Sequence, residues 1–388
     1  MPNDVLALFP ELEREIRATA TSGILPAQAI RHLAESGAIT SDEPFVDEQV
    51  QPASLDLRLG AVAYRLQASF LPGVSSTVEK RLADVRMATL DLRSPAVFEK
   101  GCVYLVPLME RLRLPEPISG RANPKSTTGR VDVFTRLITD YGDEFERVAP
   151  GYSGPLYAEV VPRTFSILVR AGMRLSQIRF LRGKPTSPDS ALHEIHRENT
   201  LVFTEDDSPA QPMIGRGLRL SLSLAGDDQH PHSPVAFRAK HNTPIIDLSL
   251  VNHYDVDEFW ERIVAPRSGR LILNPGDFYI LASRERVRVP PLFAAEMVPF
   301  DPSVGEFRIH YAGFFDPGFG YGLKDIPGTR AVLEVRAHEV PFQVEDGQVV
   351  GRMVYFRLLD EPDRIYGQGI GSSYQGQALA LSKHFKRG

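Results

Sequence analysis

Apolar and polar residues alternate in short runs along most of the chain. VYLVPL, FSILV, MRLSQIRFL, FYILAS and RMVYFRL each show period two and are bounded by Gly, Pro or Asp. That is the pattern of half-buried strands joined by tight turns, and it predicts an all-β core. Helical spacing belongs mainly to the start, where LALFPELEREIRATA and LPAQAIRHLAESG repeat apolar residues at intervals of three and four and Gly37 supplies a stop signal. A further short helix is predicted at VDEFWERIV. The polar stretch RGKPTSPDSALHEIHRENTLVFTEDDSPAQP is rich in Ser, Asp and Pro and reads as a linker over 183–213, between a first unit, 1–182, and a second, 214–388. GDDQHPHSP reads as a loop in the second unit, and the tail from Ile365 to Gln377 as a mobile end or a lid.

The two units repeat one another. FEKGCVYLVPLMERLRLP, from Phe98, falls without a gap on LNPGDFYILASRERVRVP, from Leu273, a shift of 175 residues. Gly101 meets Gly276, Tyr104 meets Tyr279, Glu110 meets Glu285 and Pro115 meets Pro290. The same shift sets Glu159 on Glu334 and Gly172 on Gly347. A period this long marks a duplicated fold rather than a short solenoid repeat.

Composition narrows the class. With 43% hydrophobic and 24% charged residues the chain is an ordinary folded protein, and Gly 30 and Pro 31 suit many turns. A net charge of -5 gives no global attraction to nucleic acid or an anionic membrane, so anion-binding cations must be local. Cys102 is the single cysteine, which excludes intramolecular disulfides and multi-thiolate zinc sites. No apolar run approaches a membrane span, and the acidic start MPNDVLALFPELE lacks a signal layout, so a cytoplasmic location is expected.

Four segments carry candidate chemistry. GRANPKSTTGR offers Arg121, Lys125 and Arg130 with Ser126, Thr127 and Thr128, a set suited to a polyphosphate, although a solvated basic turn has the same composition. At the shift of 175, Arg121, Lys125, Ser126 and Arg130 meet Glu296, Phe300, Asp301 and Gly305, so the cations belong to the first copy alone. Glu159 and Glu334 each close a strand that follows a Pro-Gly turn. Alternation allows either to face solvent; in a cleft, burial would raise the pKa toward that of a useful general base. MRLSQI and the tail IYGQGIGSSYQGQ complete the set. The HxE match at His196 and Glu198 has no PCxxC partner, and no GxSxG or GxGxxG opens a helix.

Together these motifs resemble the dCTP deaminase branch of the dUTPase-like superfamily. DEQVQPASLDLRLG resembles its N-terminal signature and GRANPKSTTGR its phosphate motif, with Lys125, Ser126, Thr127 and Arg130 in the matching places. PGYSGPLYAE puts Glu159 on the catalytic glutamate, and VLE puts Glu334 there. HYAGFFDPGFG resembles the base-binding hairpin at Ala312 and Asp316, MRLSQI matches at Gln177, and the tail matches at Tyr366 and Gln377, with Ser373 where a lysine is usual. The resemblance implies two tandem distorted β-barrels, an assembly of three chains, and hydrolysis of dCTP to dUTP and ammonia without a catalytic metal, Mg²⁺ arriving with the triphosphate. Glu159 or Glu334 is the implied base, with Ser126 beside it, and Arg121 joins the phosphate residues. A composite site is expected, with phosphate groups from the first copy and Ala312, Asp316, Glu334 and Tyr366 from the second; a site built from first copies around Glu159 is its rival. dUTP diphosphatase or bifunctional activity, or a non-catalytic regulator that binds deoxynucleotides such as dCTP without turnover, are the other readings, with dUTP or dTTP as further possible ligands.

Overall fold

The computed structural model describes residues 22–185, 188–204, 206–226, 232–299, 307–309, 313–321, 327–337, 339–367, 374 and 379–387. The first expected helix, LALFPELEREIRATA, lies outside them. The second is α1 (Ala27–Glu35), which buries Ala27, Ile30 and Leu33 on one face, and Gly37 leaves it at a φ of 76°.

The expected β core is present in both halves. In the first, β1 (Leu55–Arg58), β2 (Val103–Arg113) and β3 (Ile118–Pro124) lead to a single helical turn, α2 (Ser126–Gly129), then β4 (Val133–Thr139), β5 (Ser153–Pro162) and β6 (Arg174–Arg182). β5 lies between β2 and β4, and β6 between β1 and β3, all antiparallel. After α3 (Asp189–Asn199), the second half presents β7 (Tyr279–Val287), β8 (Phe293–Pro299), β9 (Phe314–Phe315), β10 (Thr329–Ala337) and β11 (Val349–Arg357). Here β10 pairs with β7, while β8 lies between β9 and β11.

The repeat extends to single atoms. The ends of β3 and β8 correspond at the 175-residue shift, as do those of β6 and β11. Gly101 and Gly276 both turn at a φ of 78°, a region that favours glycine. Beside them the Tyr104 hydroxyl accepts from the Glu99 amide at 3.0 Å, and Tyr279 from the Asn274 amide at 3.1 Å.

Two expectations change. The stretch 183–213 is not simply a linker: α3 buries Leu192 and Ile195 in the second core, and Val202–Phe203 pairs with β7. In VDEFWERIV only Val256–Phe259 is helical, because Trp260–Val264 pairs as a strand with Pro234–Ala239. Most of the GDDQHPHSP loop lies outside the described residues. Among those described, no helix is long and apolar enough to cross a membrane.

The halves share a core. Phe165 packs edge-on against Phe259 and Trp260, with centroids at 5.9 and 5.5 Å, and Ile167–Val169 pairs in parallel with Ile246–Asp247. Two buried arginines cross the junction. Arg179 of β6 donates to the carbonyls of Ala295 and Phe315 at 2.8 and 2.9 Å and to Asp316 at 3.0 Å. Arg336 of β10 pairs with Asp132 and donates to Thr164 at 2.7 Å. At the repeat shift Arg179 meets Val354 and Arg336 meets Val161, so each bridge has a single copy.

Candidate active site

The phosphate-type motif is a strand end turned into a helix. β3 stops at Pro124, and the Lys125 amide donates to Leu175 of β6 at 2.9 Å. The turn closes as the Thr128 and Gly129 amides donate back to the Lys125 carbonyl at 2.8 and 3.0 Å. This fixes Lys125 and Ser126 at the mouth of a cavity and carries Arg130 inward. Arg130 donates to the Ala380 carbonyl at 3.0 Å, and its guanidinium lies 3.8 Å from the centre of the Tyr374 ring.

Glu334 comes from the other half. β10 pairs Glu334 with Ile280 of β7 and points its carboxyl at the phosphate turn, where Gly129 has so little room that a Cβ would stand 2.6 Å from Glu334 Oε2. Glu334 lines an inner cavity of about 70 Å³ with Lys125, Ser126, Arg130, Asp316 and Tyr366. Burial pushes its pKa up to about 8, and the nearby Asp132 carboxylate adds to the rise while Arg130 opposes it. Lys125, Ser126, Asp316 and Tyr366 also line an outer cavity of about 680 Å³, whose walls include Thr127 and Gln177.

The N-terminal signature divides its work. Gln49 and Arg58 bond to the buried Glu110, with the Arg58 Nε and main-chain N–H both at 2.8 Å, which anchors β1 to β2. Asp56 instead faces the outer cavity and pairs with Lys125, with Arg174 Nη1 at 3.7 Å. Ser54 donates to Gln177 Oε1 at 3.2 Å.

The structure brings together Lys125, Ser126, Thr127, Arg130, Gln177, Asp316, Glu334 and Tyr366. Ala312 and Gln377 lie outside the described residues. Arg121 lies away from the cavity and bonds at 3.3 Å to Glu296, its own counterpart in the repeat. Glu159 faces neither solvent nor a cleft. It is fully buried in β5, and Arg136, its cross-strand partner on β4, holds it through Nε at 3.0 Å. The Arg136 guanidinium is stacked in turn on Phe145 at 3.5 Å and Phe134 at 4.6 Å, so the space around the first glutamate is filled by the first copy's own side chains.

Sequence reasoning omitted Asp56, Arg179, Tyr374 and Lys383. Arg179 lies fully buried with the Phe314 ring at 4.0 Å, and burial pushes the pKa of its partner Asp316 up, against the pull of the guanidinium. For Asp56 there was a signal: with Arg58 it alternates with Leu55 and Leu57 as the polar side of a strand that is buried throughout. Of the tail read as a mobile end or a lid, residues 368–373 and 375–377 lie outside the described residues; beyond it Phe385 is docked, 2% exposed.

A buried carboxylic acid against a cationic turn, at the junction of two copies of one β-fold, fits a nucleotide hydrolase of the dUTPase-like class. Comparison with known proteins agrees. The family models for the 2'-deoxycytidine 5'-triphosphate deaminase N-terminal and C-terminal domains match residues 21–184 and 188–385. A crystal structure of 2'-deoxycytidine 5'-triphosphate deaminase from Agrobacterium tumefaciens superposes with a TM-score of 0.82 at 50% identity, over 88% of this chain and all of that one. A dCTP deaminase of Halorubrum lacusprofundi is 27% identical over 49% of this chain and 89% of its own length. A dUMP-forming dCTP deaminase of Beutenbergia cavernae is 29% identical over 41% of this chain and 79% of its own. The chain belongs to the dCTP deaminase family, in a double-length form with both family domains in tandem.

Proposed function

We propose that the chain hydrolyses dCTP to dUTP and ammonia at the junction between its halves, with Glu334 as general base. The observation that carries this reading is the placement of Glu334, from the second copy, against Ser126 and Arg130 of the first. Cytosine C4 is a weak electrophile, so water must lose a proton as it attacks. The Glu334 carboxylate takes that proton and passes it to N3, so the ring accepts the electron pair; a further proton transfer to the exocyclic nitrogen releases ammonia and leaves the uracil carbonyl. A positioned base of this kind contributes about 10²–10⁴-fold, most effectively with a pKa near the working pH, and about 8 meets that condition.

The remaining groups position. Ser126 and the hairpin backbone at Gly313–Asp316 hold the water and the amine, and Arg179 fixes the hairpin through Ala295, Phe315 and Asp316. Lys125 and Arg130 take phosphate oxygens, binding energy remote from C4 that serves to orient the base. Among the described residues no three His, Cys, Asp or Glu side chains converge as a metal centre. The magnesium ion of a nucleoside triphosphate is counted with the substrate.

The dUMP-forming relatives favour one second reading, in which the same site also hydrolyses the triphosphate. Incubation with dCTP and separation of the products by anion exchange distinguishes them. dUTP with stoichiometric ammonia supports simple deamination, dUMP with pyrophosphate supports the bifunctional reading, and the absence of ammonia refutes both.

A further inference from the structure

The outer cavity gathers cations away from Glu334. Lys125 and Arg174 share the buried Asp56. Arg170 pairs with Asp247 at 3.2 Å and Arg364 with Asp47 at 2.8 Å. Lys383 also lines this cavity, and among the described residues the only acidic group acting on its ammonium is Asp56, the carboxylate that Lys125 and Arg174 already share. Burial, together with repulsion from Lys125 and Arg174, holds its pKa below the usual lysine value against the pull of Asp56. Three cations sharing one carboxylate leave an excess of positive charge, which a further anion entering the cavity would offset.

The chain holds Lys383 there deliberately. Ser382 donates to the Thr127 carbonyl at 2.9 Å, and the Lys383 amide donates to the Tyr374 hydroxyl at 3.2 Å. His384 Nδ1 lies 2.7 Å from the Leu250 carbonyl oxygen. Phe385 inserts among Phe259, Trp260 and Tyr254, with ring centroids at 5.5, 5.8 and 6.3 Å. The backbone on both sides of Lys383 is therefore pinned, and the ammonium is delivered to one place.

The order of residues along the joined cavities sets what that place meets. Glu334 lines the inner cavity alone, Lys125 and Ser126 line both, and Lys383 lines the outer alone. A nucleotide with its base at Glu334 and its first phosphate at the turn extends its later phosphates toward Lys383. We propose that Lys383 is a specificity-determining residue that binds the terminal phosphates of the nucleoside triphosphate, so that the pinned end of the chain reads phosphate number. The nucleotide part of this assignment rests on the deaminase reading above.

The test uses the full chain as Lys383→Met and Lys383→Arg, with ammonia release from dCTP and calorimetric binding of inorganic tripolyphosphate and pyrophosphate. Loss of one charge-assisted contact predicts a KM for dCTP raised about tenfold or more in Lys383→Met, with kcat changed much less and tripolyphosphate affinity lowered in parallel. Lys383→Arg restores both, and pyrophosphate binding is nearly unaffected. If the wild type releases ammonia and Lys383→Met leaves the KM and tripolyphosphate affinity unchanged, the role of Lys383 is overturned. If the wild type releases no ammonia but tripolyphosphate binding still depends on Lys383, the phosphate assignment stands and the deaminase reading fails.

Discussion

As the proposed base, Glu334 would couple the chemistry of the site to the stability of the fold, and Glu334→Gln separates the two. In the folded chain the carboxyl titrates near 8 rather than at its ordinary 4.5, so between those values the native state holds a proton that the unfolded chain has released. Stability therefore falls as pH rises through this window and levels off above about 8. At about 1.4 kcal/mol per pH unit, the interval amounts to roughly 5 kcal/mol. Glutamine keeps the shape and carries no charge, so denaturant unfolding should show Glu334→Gln gaining on the wild type by several kcal/mol between pH 5 and pH 9. Glu146, also raised to about 8 by burial, titrates in both proteins and cancels from the difference. In the active wild type, kcat/KM should rise with pH toward the same pKa, because only the ionised form accepts the proton from water. Parallel stability curves for the two proteins across this range would refute the assignment of a buried, proton-holding Glu334.

Other perturbations have their own signatures. Arg130→Leu removes the cation that opposes the upward shift of Glu334, so the alkaline rise in kcat/KM should move to higher pH and the KM for dCTP should increase; an unmoved profile would dissociate Arg130 from the carboxyl. Arg179→Met strips the buried Asp316 of its partner, and breaking such a pair should cost about 3–5 kcal/mol in denaturation and remove most activity. A fully stable, active Arg179→Met would show that the hairpin holds itself.

Much of the fold and part of the site are legible in short stretches of sequence. The strands follow from period-two runs, and the 175-residue repeat follows from direct comparison because turn glycines and buried tyrosines recur in place. Lys125, Ser126, Arg130 and Glu334 are found because each lies in a compact motif. The choice between Glu159 and Glu334 is different, since it depends on Arg136 standing across the strand from Glu159 and occupying its surroundings. Local alternation carries no trace of that contact. Arg179 and Arg336 look like the exposed positions of half-buried strands, but the second copy covers the first at Arg179, and Asp132 receives Arg336. Lys383 is hidden for a related reason. Its role depends on where Phe385 docks, more than a hundred residues from Tyr254 and Trp260. The helix α3 was missed because two buried positions, Leu192 and Ile195, are too few to show a period against a polar background.

The central claim is that one chain builds one working site from unlike halves, with the second glutamate as base and the first as a structural ion pair. Ammonia release from saturating dCTP by Glu334→Gln and by Glu159→Gln, each measured at a temperature where it is folded, tests this directly. The account predicts that Glu334→Gln loses about 10²-fold or more in kcat, while Glu159→Gln unfolds at lower temperature and, when folded, keeps kcat within a few-fold of wild type. Full activity in Glu334→Gln, with loss confined to Glu159→Gln, would contradict it.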